Sequence, residues 1–156
     1  MMLNRLLPVT IDNHYRGHVI ALVFFVVISL ISTGRSLAHI LLADGGVQSI
    51  AGIPLDSYPD GAVGSLIVVF GYWGGSQLLF AVLFWIVLWR YRSLIPMMWL
   101  FIILEYSIQL GVSATKSVIV SSAPGTIANL IIIPLGIVIL LLSLLDTKRQ
   151  TTHDKL

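Results

Sequence analysis

Leu130-Ile131-Ile132-Ile133-Pro134-Leu135-Gly136-Ile137-Val138-Ile139-Leu140-Leu141-Leu142 carries no charge, no polar side chain and no alternation of period two. In hydrocarbon every backbone N–H and C=O must be bonded within the protein, so only helices and closed barrels cross a bilayer. A barrel strand alternates apolar and polar residues. This stretch does not alternate, and it is far longer than a buried strand, so it reads as an apolar helix.

The rest of the chain repeats the pattern. Of 156 residues, 57% are hydrophobic and only 10% are charged, and the mean hydropathy is +0.97. A soluble fold of this size has no interior large enough to hide so much apolar surface. A span needs about 20 residues, so four spans use roughly half the chain. The expected fold class is therefore an all-α integral membrane protein, a four-transmembrane-helix bundle forming one membrane domain over residues 1–156. Its parts are a cytoplasmic or interfacial head (1–17), a first span (18–43), a longer extracytoplasmic loop (44–64), spans over 65–89, 94–114 and 126–145, and a polar tail (146–156). Gly45-Gly46 ends the first helix, Pro54, Pro59 and Gly61 mark turns, and Ile50, Ile53, Leu55 and Tyr58 are expected to rest on the bundle.

Basic residues set the orientation, because cytoplasmic loops carry an excess of them. Arg5 and Arg16 precede the first span, Arg90 and Arg92 join the second to the third, and Lys148, Arg149 and Lys155 follow the fourth. The first loop holds Asp44, Asp56 and Asp60 with no basic residue, and the last loop holds only Lys116. Both termini are thus expected in the cytoplasm, in a cell's inner (plasma) membrane. Trp89, Tyr91 and Trp99 fit an aromatic belt at that face. A competing reading makes the first stretch a cleaved signal peptide with Ser36-Leu37-Ala38 at the cut. The length of its apolar core, Asp12 before it and Arg35 beside the cut argue against that.

Ionisable groups at bilayer depth are costly and normally face a partner or a wet cavity. Glu105 lies ~18 Å from the inner end of its span at about 1.5 Å per residue, near the middle of a ~30 Å core. Gln109 is one turn further out on the same face, and Tyr106 is adjacent. Arg35 lies ~26 Å from the inner end of its own span, and its side chain leans back toward the level of Glu105. His39 follows Arg35 by four residues on the same face. Gln77 in the second span and Asn129 at the start of the fourth complete a polar set drawn from all four helices. An Arg35 to Glu105 pair is the expected centre. Three uses stay open: tying helices together, lining a small-molecule or lipid cavity, and moving protons or ions.

Gly71 and Gly75, with Gly74 between them and the small Ser76 after them, form a GxxxG pattern for close helix approach, expected within the chain, with packing between chains as the alternative. Pro134 and Gly136 are expected to kink the fourth span, with a broken helix at a binding site as the alternative. His14 and His18 have metal-compatible spacing but lack a third ligand, so a solvated interfacial pair is expected. The three aspartates of the first loop match no calcium loop. No nucleophile triad, phosphate loop or paired catalytic carboxylate is visible. The expectation is a protein without enzymatic activity or cofactor. A net charge of +2 gives no basis for nucleic-acid binding. The expected partners are the lipid bilayer, a small molecule or lipid, and either further copies of the chain or a larger membrane complex.

In helix number and size the chain is similar to small four-span bacterial membrane proteins, among them the small multidrug resistance exporters and the DoxX-like proteins. The exporters carry their essential carboxylate in the first span. Here the first span has Arg35 and the deep carboxylate is Glu105 in the third, so no residue role carries over.

Overall fold

The computed structural model describes residues 2–116 and 124–145, with 124–129 described by their backbone alone. Helix makes up 76% of the structure, and no strand occurs among the described residues. A short α1 (Leu3–Leu6) leads into α2 (Val19–Leu41), α3 (Asp60–Arg90), α4 (Ile95–Thr115) and α5 (Pro124–Leu144). Three segments, Val19–Leu41, Asp60–Arg90 and Arg92–Thr115, are long and apolar enough to cross a membrane. The fully described part of α5, Leu130–Leu144, is equally apolar but shorter.

Local chemistry sets the helix ends. The His18 ring accepts a hydrogen bond from the Ile20 N–H (3.2 Å) and so caps α2, filling one of the orphan donors of the first turn. α3 starts at Asp60, earlier than the sequence pattern places it, because Pro59 supplies the extended N-cap and Asp60 puts a carboxylate on the positive end of the helix dipole. Gly61 and Gly64 are carried inside that helix rather than ending it. The α3 to α4 turn is tight: a single 3₁₀ turn over Arg92–Leu94 precedes α4, whose first turn takes Pro96 at a position where a missing N–H is harmless. α5 runs unbroken through Pro134, and Gly136 packs against Ile103 of α4. The broken-helix alternative is therefore set aside.

The helices associate as two pairs, α2 with α3 and α4 with α5, joined chiefly by α2 against α5. Their apolar core is gathered toward the end of the molecule that holds the N-terminal head. There Phe25 of α2 lies between Phe84 of α3 and Trp99 of α4, at ring-centroid distances of 5.4 and 6.1 Å. Ile95, Met98, Ile102 and Ile139 close around them. Trp99 corrects the expected aromatic belt. It is 3% exposed and its indole N–H donates to the Ala21 carbonyl (3.4 Å), so it is a core residue facing α2. Trp89, 81% exposed, keeps a position compatible with a belt.

The head is tied to the helices by hydrogen bonds. Asp12 and Ser93 exchange three hydrogen bonds: Asp12 N–H to Ser93 Oγ (3.0 Å), and Ser93 Oγ–H and N–H to the Asp12 carbonyl (2.9 and 3.2 Å). Asn13 donates to the Trp89 carbonyl, Arg5 to that of Leu144, and the His18 N–H to that of Leu142. Residues 2–18 thereby strap the α3 to α4 turn to the end of α5. Gly17 makes this possible, because a Cβ there would collide with the Ser143 carbonyl.

At the opposite end, Gly45 and Gly46 adopt positive φ (59° and 72°), the left-handed turn that glycine takes without strain. Asp44 organises the turn by accepting from the N–H groups of Gly46, Gln48 and Ser49 (3.0, 3.2 and 2.8 Å). Partial burial pushes its carboxyl up, but the N–H groups of Ser49, Gly46 and Gln48 outweigh this and hold the pKa at about 2. Of the apolar loop residues expected to rest on the helices, Ile53 is buried while Ile50, Leu55 and Tyr58 are half-exposed. Val47, which the pattern did not single out, is fully buried.

Candidate functional site: a charged cluster between three helices

Between α2, α3 and α4, on the loop side of the aromatic core, the structure gathers most of the polar residues expected inside the spans. Glu105 of α4 is the hub. Its Oε1 accepts from Gln77 Nε2 of α3 (3.3 Å) and from Gln109 Nε2 one turn along α4 (3.0 Å). The same oxygen lies 3.9 Å from the Arg35 guanidinium of α2, which is an ion pair and too long for a hydrogen bond. The guanidinium also faces two aromatic rings, 5.5 Å from the centroid of Tyr106 and 5.8 Å from that of Trp73. Such a stack stabilises a cation by its contact with the π face.

The cluster is neither sealed nor open. The side chains of Arg35 and Glu105 are 21% and 30% exposed, whereas Gln77 is buried. Among the described residues, three buried polar atoms have no hydrogen-bond partner: Arg35 Nε, His39 Nε2 and Gln77 Oε1. Buried polar groups are bonded in the great majority of cases, so these orphans, two in the cluster and one on His39 a turn along α2 from Arg35, need an explanation.

His39 sits apart from the hub. It is buried, its Nδ1 donates to the Gly45 carbonyl (2.8 Å), and its ring packs on Trp73 and Phe70 at 5.0 and 5.7 Å. It therefore ties the end of α2 to the 45–46 turn instead of extending an open polar stripe. Gly46 and Gly74 form its cradle, since a Cβ on either would come within 2.7 Å of it.

The close approach of α3 to α2 falls on Gly74, whose missing Cβ would lie 2.6 Å from His39 Cβ and 3.1 Å from the Ser36 carbonyl. Gly71 is in ordinary contact at 3.9 Å and Gly75 faces open space, so the expected Gly71/Gly75 pairing is corrected to Gly74. Ser36 of α2 lies against Gly74 through its carbonyl, Ser29 is likewise fully buried seven residues earlier, and both hydroxyls donate to carbonyls one turn back. That i,i+7 pair of small residues was a sequence signal for the seam. Trp73 was also missed, although it precedes Gln77 by one turn on the same face of α3. The side chain of Asn129 and the tail from 146 onward lie outside the described residues.

Elsewhere, His18 is engaged as the α2 cap. Among the described residues no group of three or more His, Cys, Asp or Glu is placed to hold a metal ion. A cleft of about 230 Å³ under the head is lined by Asn4, His14, Arg16, Ser93 and Ser143 among others. Its Arg16 and Asp12 satisfy each other as a two-point ion pair, which lowers the Asp12 carboxyl below its ordinary pKa together with the His14 N–H.

The chain matches no protein-family model, no curated protein and no solved structure.

Proposed function

We propose that the chain is a four-span protein of the inner (plasma) membrane, with both ends cytoplasmic, that binds a small lipophilic molecule at the Arg35, Gln77 and Glu105 cluster. The single observation that carries this is the set of three buried polar atoms, on Arg35, Gln77 and the neighbouring His39, left without a partner among the described residues while the charged pair stays partly exposed. A cluster serving only to tie helices has no need of orphans, each of which costs about 1–3 kcal/mol. A ligand that bonds them offsets that cost. The segregation of basic residues to the head, the α3 to α4 turn and the tail supports the orientation, and the apolarity of α2, α3 and α4 supports their place in the bilayer.

Native mass spectrometry of protein extracted gently from its own membrane tests the reading. A retained small molecule that Arg35→Ala loses is the expected result. A bare chain from every mild extraction contradicts it and favours the helix-tying role. A stable complex with other proteins points instead to an accessory subunit.

A further inference from the structure

The hydrogen-bonding roles of the three orphan atoms are fixed by their neighbours, and together they define what the site accepts. The Gly45 carbonyl can only accept, so His39 Nδ1 carries the proton of that 2.8 Å bond, and in the Nδ1–H tautomer Nε2 is a lone-pair acceptor. The Glu105 carboxylate can only accept, so it is the amide nitrogen of Gln77 that faces it and the amide oxygen that is left over, again an acceptor. Arg35 Nε is a donor. The site therefore lacks one acceptor and two donors.

Two of the three residues flank a single indole. Arg35 and His39 are one turn apart on α2, and both lie against Trp73, at 5.8 and 5.0 Å. Gln77 is one turn beyond Trp73 on α3. Charge inside the cluster is already balanced, Arg35 against Glu105, so a charged ligand brings an uncompensated ion into a low-dielectric site. Phe70, Trp73 and Tyr106 provide ring surfaces around the polar atoms. A group that both accepts and donates, carries no charge and sits on an apolar body meets all of these conditions.

We infer that this site takes the hydroxyl of a neutral amphiphile, a phenol or alcohol on an apolar body, with Arg35 Nε donating to the hydroxyl oxygen and Gln77 Oε1 or His39 Nε2 accepting its proton. Water offers the same pattern of donors and acceptors, so a hydroxyl replaces it without leaving an orphan. An ether lacks the proton. The inference rests on the binding reading above and deepens it.

The test uses two probes of nearly equal size, para-octylphenol and its O-methyl ether, titrated into the full-length protein in detergent and followed by equilibrium dialysis. A site built around a hydrogen-bonded hydroxyl should hold the phenol at least about tenfold more tightly than the ether. Gln77→Leu and Arg35→Lys, checked for unchanged helicity, should narrow that ratio by weakening the phenol and leaving the ether unchanged. Because the wild-type comparison needs no variant, a folding defect in either substitution does not decide the outcome. Equal affinity for both probes overturns the hydroxyl assignment while leaving a lipophilic site in place. Binding of neither probe also overturns it, and only if native mass spectrometry finds the chain bare does the binding reading fall as well.

Discussion

At the scale of single residues, the Arg35 to Glu105 contact is the most exposed to test. Removing one member of a charged pair leaves the other in a poor dielectric, whereas removing both together is far better tolerated. Both side chains are partly exposed, at 21% and 30%, so the loss for Glu105→Ala should be about 1–3 kcal/mol rather than the larger cost of a fully buried pair. Chemical denaturation in detergent should show that loss, with most of it recovered in the double variant Arg35→Met with Glu105→Leu. An unchanged stability for Glu105→Ala would mean that the pair contributes nothing. Asp44 gives a second prediction with a defined sign. Its carboxyl is depressed from 3.8 to about 2 in the folded state. The stabilisation is therefore present above the unfolded value and is lost as pH falls through the folded one. Amide-exchange protection at Gly46, Gln48 and Ser49 should fall over that window, and Asp44→Asn should lower it at neutral pH by about 1 kcal/mol, the size of a lost cap. Protection that ignores both pH and the substitution would show that the carboxylate does not organise the turn.

At the scale of elements, the α2 to α3 seam distinguishes two neighbouring glycines. A Cβ on Gly74 meets α2 backbone and side chain at 2.6 to 3.1 Å, while one on Gly75 meets nothing within 4 Å. Gly74→Val should destabilise the helix pair by about 1–3 kcal/mol through overpacking. Gly75→Val should leave the isolated chain near wild type. Equal effects in thermal melts would place the seam elsewhere. The spacing of small residues marked α3 as a close-packing helix, but a run of three such residues, Gly74-Gly75-Ser76, leaves the facing side undetermined until the partner helix is known. Trp99 was misplaced for a related reason: tryptophan suits both a membrane interface and a core with a hydrogen-bond partner, and only the proximity of Ala21 decides between them. The start of α3 was read too late because Gly61 and Gly64 look like breakers, while Pro59 and Asp60 already provide a helix start. By contrast Arg35, Gln77, Glu105 and Gln109 were legible as a set, since helical rise alone puts them at similar depth along their spans. The capture of His39 by the glycine turn was not legible, because it depends on the backbone path of 45–46.

At the scale of the whole molecule, the head matters more than its length suggests. Its hydrogen bonds to Ser93, Trp89, Leu142 and Leu144 join both helix pairs at one end, while the charged cluster lies toward the other. The two ends thus differ in kind: one is strapped by main-chain bonds, and the other holds an ion pair with unbonded polar atoms beside it. The depth of that cluster in the bilayer, and with it the cost of its charges, depends on the chain crossing four times with both ends on the same side. The absence of cysteine from the sequence makes single-cysteine labelling a direct measurement of this. With a membrane-impermeant maleimide on intact cells, Ser57→Cys should label at once, while Asn4→Cys and Thr151→Cys should label only after permeabilisation. Immediate labelling of Thr151→Cys with Asn4→Cys still protected would mean three crossings, leave α5 outside the membrane count, and contradict the four-span arrangement on which the proposed site rests.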